Sequence, residues 1–288
     1  MTPRPLTDGF ALALGGGGAR GWAHIGVARA LERRTLRPRR IVGTSMGALI
    51  GAGMAAGRTA DEMEAEALRT PVMRRMRRPG RLAFFDARPL LERMVAQLGH
   101  PTIEDLPIPL GITTFDLVAG RPRLITRGPL LEALEMSIAV PFFLPPRHVG
   151  DGVWCDAGPW ESIPVSHARA WDPTLPVIGV LADIAKPAFL SSRVGAAVLR
   201  AAAGRLGTGE AGARLTARRY LALVTSRWAD PVVDEPPDLL IAPRLGWMSA
   251  LQFSRVSPAI ETGERDAGLA LDAIGLESPP TEERHHAA

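Results

Sequence analysis

The chain of 288 residues has very little cysteine and very little lysine, with one of each, Cys155 and Lys186. A single thiol excludes an intramolecular disulfide framework and any metal site built from several cysteines. So few thiols predict a reducing compartment such as the cytosol. A P-loop is excluded as well, because that motif requires a Gly-Lys-Ser or Gly-Lys-Thr sequence, and the only lysine is Lys186.

Aromatic residues and excess charge are also scarce. Aromatics make up 5% of the chain, and 34 basic against 30 acidic residues give a net charge of +4. Nucleic-acid-binding proteins normally concentrate cations on one face and interleave aromatics among them, so we predict no nucleic-acid partner. A hydrophobic content of 46% with 22% charged residues fits neither a disordered chain nor a membrane-spanning one.

Long apolar runs are absent too. The run at residues 10–14 is too short for the core of a signal peptide, and the weakly polar stretch at residues 48–57 is about half of a spanning helix. We therefore predict no signal peptide, no transmembrane helix and a cytoplasmic location, with peripheral contact at the inner membrane surface as an option.

The chain alternates short apolar strands with helical patterns. Residues 10–14 and 41–42 have the character of buried strands, and each is followed by a glycine-containing turn and a helix. This alternation predicts an α/β fold in which helices cover both faces of a mostly parallel central sheet. We expect one domain at residues 10–275, an N-terminal extension at residues 1–9 and a disordered tail at residues 276–288.

A serine turn follows the second predicted strand. The pattern Gly43-x-Ser45-x-Gly47 lies between the strand and a helix of very small residues, as in the elbow that exposes a nucleophilic serine above a sheet. The alternative is a serine that caps the following helix, which would explain the serine but not both glycines.

A glycine loop follows the first predicted strand. The pattern Gly16-x-Gly18-x-x-Gly21 matches the dinucleotide-binding fingerprint. An NAD site also requires an acidic residue after the next strand, where this chain has Gly43, Thr44 and Ser45. The free amides of a glycine run at a helix N-terminus could instead stabilise an oxyanion. Because the two turns end adjacent strands, we expect them to form one site.

A serine nucleophile requires a proton acceptor, and the histidines do not offer a compelling one. His24 follows the glycine loop and is predicted to pack or to form a hydrogen bond, and the others lie in less suitable places (His100, His148, His167, His285, His286). An α/β-hydrolase usually has several strands before the elbow, whereas only one precedes it in this chain, so we do not predict that fold. A carboxylate held against the serine can replace histidine, which leaves Asp156 and Asp151 as candidates.

Three motifs in this order and spacing resemble the patatin-like phospholipase family: residues 16–21, residues 43–47 and Asp156-Ala157-Gly158. Further similar blocks are residues 23–27, 137–141, 145–146, 163–165, 238–244 and 253–254, so the resemblance covers about residues 10–273.

The resemblance implies a three-layer α/β/α sandwich with a Ser/Asp dyad. Ser45 would be the nucleophile and Asp156 the general base, the amides of Gly16, Gly17 and Gly18 would form the oxyanion hole, and Arg20 would support that loop. The implied reaction is hydrolysis of a phospholipid, lysophospholipid or other acyl ester through an acyl-enzyme, with no metal or organic cofactor.

Two residues depart from the family pattern. Ala157 stands where glycine normally follows the aspartate, and alanine would cost about a kcal/mol or more if the turn needs a positive φ. Glu161 stands where a small amide side chain is common. Asp151-Gly152 offers an Asp-Gly pair, but it precedes the strand. These departures motivate an alternative function, a weakly active or non-catalytic lipid-binding or regulatory protein.

A segment rich in arginine is a candidate for membrane contact. Arginines that could meet anionic headgroups lie close in sequence to two phenylalanines that could enter the interface. The alternative is a solvated face with a few core anchors. The predicted contact residues are Arg69, Arg74, Arg75, Arg77, Arg78, Arg81, Phe84 and Phe85.

Overall fold

The computed structural model describes residues 5–72, 86–140, 143–182 and 235–278. In these ranges the strands form one mixed, mostly parallel sheet. The strands are β1 (Phe10–Leu14), β2 (Pro38–Thr44), β3 (Leu110–Asp116), β4 (Arg121–Ile125), β5 (Arg147–Val149), β6 (Gly152–Cys155), β7 (Val177–Val180) and β8 (Leu239–Ile241).

The sheet order is β5-β6-β3-β2-β1-β7-β8, and β4 also pairs with β3. The five strands β3, β2, β1, β7 and β8 run parallel, whereas β4 and β6 are antiparallel to β3, and β5 to β6. The parallel core brings the carboxyl ends of β1 and β2 together at one edge of the sheet, which is where α/β proteins usually bind ligands.

Helices cover both faces of the sheet, which confirms the predicted three-layer α/β/α fold. The described α-helices are α1 (Ala23–Glu32), α2 (Met46–Ala55), α3 (Ala60–Arg69), α4 (Arg88–Leu98), α5 (Leu130–Ser137), α6 (Val165–Trp171) and α7 (Val256–Asp272). A 3₁₀ turn, Gly18–Trp22, leads into α1. The predicted capping box of α3 is present: Thr59 and Glu62 exchange side-chain to backbone hydrogen bonds.

Strand β1 shows how the two faces are divided. All five of its residues are buried, as expected for a central parallel strand. Leu12 and Leu14 belong to the larger apolar cluster, which includes residues of α1 and α2, whereas Ala11 and Ala13 belong to the cluster that includes α6. The alternation of side chains along one strand thus joins both helical layers to the sheet.

Helices α1 and α7 are in direct backbone contact. A Cβ atom added at Gly26 of α1 would collide with the carbonyl oxygen of Ile260 and lie 2.5 Å from the amide nitrogen of Glu264. Gly263 of α7 likewise abuts the carbonyl group of Ala23. Glycine at these positions allows the two helices to approach more closely than side chains would permit.

No helix in the described ranges is both long enough and apolar enough to cross a membrane. The domain limits at residues 10 and 275 remain a prediction. Of the predicted membrane-contact residues, Arg69 is exposed and lies 3.6 Å from Glu66. The others are outside the described residues.

Candidate active site

Ser45 lies in a strained turn between β2 and α2. Its φ is 55° and its ψ is −122°, a conformation that costs a residue with a side chain on the order of 1–3 kcal/mol. Its hydroxyl makes no capping hydrogen bond to α2, so the helix-cap interpretation is wrong. The turn at Ser45 has the geometry of the predicted strand-to-helix elbow.

The two glycines of the elbow permit close backbone contacts. A Cβ atom at Gly43 would lie 2.5 Å from the carbonyl oxygen of Gly47, and one at Gly47 would collide with the end of β1, 2.6 Å from the carbonyl oxygen of Gly15. The first turn of α2 therefore lies directly against the end of β1. Both glycines are explained by packing that a side chain would prevent.

Ser137 supports the elbow from the end of α5. Its buried hydroxyl accepts a hydrogen bond of 2.9 Å from the backbone N–H of Ser45, which satisfies a buried donor at the most strained point of the turn. The motif at residues 43–47 did not predict this partner, which is 92 residues away. The only sequence signal was the resemblance of residues 137–141 to a family block.

Asp156 follows directly after β6 and is held by backbone contacts. The amide of Asp156 donates to the carbonyl oxygen of Ala139 at 3.1 Å, and its carboxylate accepts from the amide of Gly158 at 2.7 Å. The preceding carbonyl, that of Cys155, accepts from the hydroxyl of Thr114 at 2.9 Å. These bonds fix both the strand end and the carboxylate.

The carboxylate of Asp156 faces the hydroxyl of Ser45. The side chain is almost completely buried, and this burial raises the pKa of Asp156 to about 6, against the opposing effects of hydrogen bonds from the Ser45 hydroxyl and the Gly158 amide. A carboxylate with a pKa near neutrality beside a serine hydroxyl can take up the proton that the serine must lose to act as a nucleophile.

The competing aspartate, Asp151, lies elsewhere. It is exposed in the turn that joins β5 to β6, at the opposite end of β6 from Asp156. Since the strand separates the two residues, Asp156 is the carboxylate that meets Ser45.

Neither departure from the family pattern disturbs the aspartate. The only non-glycine residues with positive φ in the described ranges are Thr35 and Ser45, so Ala157 does not adopt the conformation that would strain it. Ala157 is buried and belongs to the apolar cluster that contains Trp160. Glu161 has partners of its own: its carboxylate accepts from the hydroxyl of Ser166 at 2.7 Å and lies 2.6 Å from Nδ1 of His167.

The glycine loop lies beside Ser45. A Cβ atom at Gly16 would be 3.5 Å from Cβ of Ser45, and the next two glycines have φ values of 143° and 56°, which favour glycine. Within the described part of the chain, no acceptor bonds to the amides of residues 16–18. The loop therefore presents backbone donors next to the serine.

Arg20 and His24 hold the ends of this loop. The buried guanidinium of Arg20 donates to the carbonyl oxygens of Met248 at 2.7 Å and Gly246 at 3.1 Å. Nε2 of His24 lies 2.8 Å from the carbonyl oxygen of Gly15, and burial lowers the pKa of His24 to about 4 despite this contact. The imidazole is thus neutral, with its proton on Nε2, and it donates a hydrogen bond to the Gly15 carbonyl, as predicted for a residue that packs or forms a hydrogen bond.

None of the other histidines that the structure describes replaces Asp156 as the partner of Ser45. His148 is exposed on β5, His167 pairs with Glu161, and His100 follows α4 in a loop. His285 and His286 lie outside the described residues. The arrangement brings together a strained serine and a buried carboxylate, two groups whose chemistry suits nucleophilic catalysis without a histidine.

The family model for patatin-like phospholipases matches residues 12–169, and the chain belongs to that family. The matched range includes the glycine loop, the elbow and Asp156. It ends before β7, β8 and α7, which complete the fold.

Curated relatives extend the comparison to esterases. An uncharacterized NTE family protein of Mycobacterium tuberculosis is 38% identical over 178 residues, 60% of this chain and 47% of that protein. Neuropathy target esterase sws of Drosophila grimshawi is 31% identical over 155 residues, 48% of this chain and 10% of that protein. The chain thus spans less than half the length of these relatives.

A solved structure shows the same fold. The crystal structure of VipD from Legionella pneumophila matches with a TM-score of 0.51 and 12% identity, and the match covers 94% of this chain and 68% of that one.

Proposed function

We propose that the protein is a serine lipid acyl hydrolase of the phospholipase A, lysophospholipase or esterase type. The observation on which the proposal depends is that the buried carboxylate of Asp156 lies against the hydroxyl of Ser45, in its strained elbow, close enough for the hydroxyl to oppose the rise in the pKa of Asp156. Membership of the patatin-like phospholipase family and the similarity to neuropathy target esterase support an acyl-ester lipid as the substrate.

In the first half of the reaction, Oγ of Ser45 attacks the acyl carbonyl carbon and its proton passes to Asp156. The carbonyl oxygen gains negative charge, which the amides of Gly16, Gly17 and Gly18 stabilise by hydrogen bonds. When the tetrahedral intermediate collapses, the bond to the alcohol breaks, Asp156 returns its proton to the leaving alkoxide, and the acyl group stays on Ser45.

In the second half, water attacks the acyl-enzyme. Asp156 takes a proton from the water, the same amides stabilise the second oxyanion, and collapse releases a fatty acid and regenerates Ser45 with the proton from Asp156. No atom outside lipid, water and these residues is needed. Arg20 acts indirectly, by fixing the glycine loop against the carbonyl groups of residues 246 and 248.

Burial gives Asp156 the basicity that the reaction needs. An ordinary aspartate, with a pKa of 3.8, is a poor acceptor for a serine proton, and a pKa of about 6 brings the carboxylate closer to the range of a histidine base. The carboxylate is still ionised at neutral pH. General bases contribute typically 10²–10⁴-fold to enzymatic rates.

The alternative, a weakly active or non-catalytic lipid-binding protein, was motivated by Ala157 and Glu161. The ordinary backbone of Ala157 and the separate partners of Glu161 favour the catalytic proposal. Headgroup preference, acyl length and regioselectivity are properties of the substrate pocket and require a panel of lipids to determine.

The test is hydrolysis of a soluble short-chain p-nitrophenyl ester by purified Ser45→Ala, Asp156→Asn and Asp151→Asn variants. Asp151 is a matched control, because it is the exposed aspartate at the other end of β6. We expect Ser45→Ala and Asp156→Asn to lose on the order of 10²-fold or more in kcat/KM, with unchanged far-UV circular dichroism, and Asp151→Asn to remain active.

Retained hydrolysis in folded Ser45→Ala or Asp156→Asn would contradict the proposed roles. A lipid panel followed by mass spectrometry of the products, with Ser45→Ala as the blank, then identifies the substrate. Wild-type protein that binds lipids but releases no fatty acid from any of them would favour the non-catalytic alternative.

A further inference from the structure

The segment between β8 and α7 exposes large apolar side chains to solvent. In residues 243–255, which we call the C-terminal loop, Trp247 is 99% exposed and Leu251 is 51% exposed. Tryptophan is normally well buried in a folded protein, so a fully exposed one on an ordered loop calls for a partner.

The exposure of Trp247 does not come from a detached loop. The next residue, Met248, is buried, and the chain turns through hydrogen bonds from Met248 N–H to the Leu245 carbonyl at 3.2 Å and from Gln252 N–H to the Ser249 carbonyl at 3.1 Å. The loop is thus anchored on one side and directs Trp247 away from the protein on the other.

The C-terminal loop lies against the glycine loop of the active site. The amide of Ala19 donates to the carbonyl oxygen of Ala250 at 2.7 Å, and a Cβ atom at Gly18 would lie 2.5 Å from the same oxygen. Arg20 donates to the carbonyl oxygens of Gly246 and Met248, on either side of Trp247. The loop that carries the exposed tryptophan therefore contacts the glycine loop of the proposed oxyanion hole through its backbone.

The charge of this region suits an anionic surface. Residues 239–260 include no aspartate or glutamate and two arginines. Arg255 is exposed, and Arg244, whose side chain is 73% exposed, pairs with Asp266 of α7. Exposed arginines next to an amphipathic tryptophan are the pattern of proteins that rest on lipid headgroups.

We propose that the C-terminal loop docks the enzyme on the surface of a phospholipid bilayer or micelle, with Trp247 and Leu251 inserted among the headgroups. The choice of lipid as the partner rests on the proposed function. Docking at this loop brings the glycine loop and Ser45 to the surface from which an acyl chain must be drawn. This proposal is separate from the predicted membrane contact of the arginine segment at residues 69–85, most of which lies outside the described residues.

A lipid surface fits this loop better than a protein partner. A specific protein interface buries about 800 Å² on each side around an apolar centre. The exposed large apolar side chains of the loop are only two, Trp247 and Leu251, and the exposed residues Gly246, Ser249 and Gln252 lie close to them in sequence. An indole needs no complementary pocket at the membrane interface, where its ring meets acyl chains and its N–H meets water and headgroups.

The test is sedimentation of the full-length protein with vesicles of phosphatidylcholine and phosphatidylglycerol. All proteins bear Ser45→Ala, so that the vesicles are not consumed. We compare the Ser45→Ala protein with proteins that also carry Trp247→Ser or Trp247→Phe. The control carries Leu269→Ala, which removes a side chain that is 56% exposed on α7. We expect Trp247→Ser to weaken vesicle binding roughly tenfold or more, Trp247→Phe to retain most of it and Leu269→Ala to match the background.

Equal vesicle binding by the background and Trp247→Ser would overturn the proposal. A dimer that depends on Trp247, seen by analytical ultracentrifugation without vesicle binding, would also overturn it and identify a protein interface.

Hydrolysis of the soluble p-nitrophenyl ester by proteins with native Ser45 separates this proposal from the proposed function. With Ser45 present, we expect Trp247→Ser to lower vesicle hydrolysis at least tenfold more than soluble-ester hydrolysis. Vesicle binding that depends on Trp247 in a protein without esterase activity would support docking and refute catalysis. Esterase activity that depends on Ser45, together with vesicle binding that is unchanged by Trp247→Ser, would support catalysis and refute docking at this loop.

Discussion

Glycines bring backbones into direct contact in two regions of this protein, between α1 and α7 and between β1 and the elbow at Ser45. At the first contact, Gly26 and Gly263 join two regular helices. At the second, Gly47 abuts the end of β1, but the neighbouring Ser45 has a φ of 55° and the nearby glycine loop has amides without an acceptor in the described ranges.

Comparison of the two regions distinguishes a functional contact from a structural one. Close packing on glycine is common to both regions, so it does not by itself indicate a site. What is particular to the elbow is backbone strain, free donors and a buried carboxylate, each of which costs stability and is retained where the chemistry requires it.

The largest effect is expected from two alanine substitutions that separate the regions. Gly26→Ala forces a methyl group into the backbone of α7 and should lower the free energy of unfolding by about 3 kcal/mol, with little change in kcat/KM of the folded enzyme. Gly16→Ala meets only an ordinary contact with Ser45 and should unfold like the wild type, but its methyl group crowds the nucleophile and should lower kcat/KM roughly tenfold or more.

Denaturant unfolding gives the free energy of unfolding of both variants, and esterase kinetics give their kcat/KM. If Gly16→Ala were the unstable variant and Gly26→Ala the inactive one, the two regions would have been assigned the wrong roles.

The second effect is a gain of stability on removal of the carboxylate. Because the folded-state pKa of Asp156 is raised from 3.8 to about 6, folded molecules bind more protons than unfolded ones between these values, and stability is lost as pH rises through about 6. Asp156→Asn should remove this loss and raise the free energy of unfolding at pH 8 by about 3 kcal/mol. Urea unfolding of the wild type and Asp156→Asn at several pH values tests this gain in stability. An Asp156→Asn protein less stable than the wild type at pH 8 would show that the negative charge of Asp156 stabilises the fold.

A smaller gain is expected at the nucleophile. Ser45→Gly relieves the positive φ, whereas Ser45→Ala keeps it, so the glycine variant should be more stable than the alanine variant by about 1 kcal/mol, although both are inactive. Thermal unfolding of the two proteins side by side measures the difference. Equal stabilities would mean that the elbow is not strained.

The smallest effect concerns Ala157. Its φ is not positive, so Ala157→Gly should change the free energy of unfolding by less than about 1 kcal/mol and leave kcat/KM close to that of the wild type. A large gain in kcat/KM would show that the alanine holds Asp156 away from its best position.

The alternation of strands and helices and the turn at Ser45 were predictable because each depends on a local pattern, whereas the choice of Asp156 over Asp151 came from the resemblance to the family. Strand β2 was longer than predicted: its apolar signal is limited to residues 41–42, whereas the strand also includes Arg39 and Arg40. Arg40 is tolerated there because it pairs with Asp172 and lies over the ring of Trp171. Such partners come from packing and are not visible in local hydropathy.

The support of the site was the least predictable part. The bond from the Ser45 amide to Ser137, and the bond from Thr114 to the carbonyl of Cys155, join residues that are far apart in sequence. The conformation of Ala157 was equally undecided, because φ follows from how Asp156 and Gly158 are held. A motif identifies reacting groups, and the tertiary structure determines what positions them.

The central claim, that Asp156 activates Ser45, is tested most directly by the rate of covalent labelling with a fluorophosphonate as a function of pH, followed by intact mass and peptide mapping. We predict one adduct on Ser45, with a rate that rises along a single ionisation near pH 6 and is reduced on the order of 10²-fold or more in Asp156→Asn. Labelling that persists in Ser45→Ala, or that proceeds at the wild-type rate in Asp156→Asn, would contradict the account.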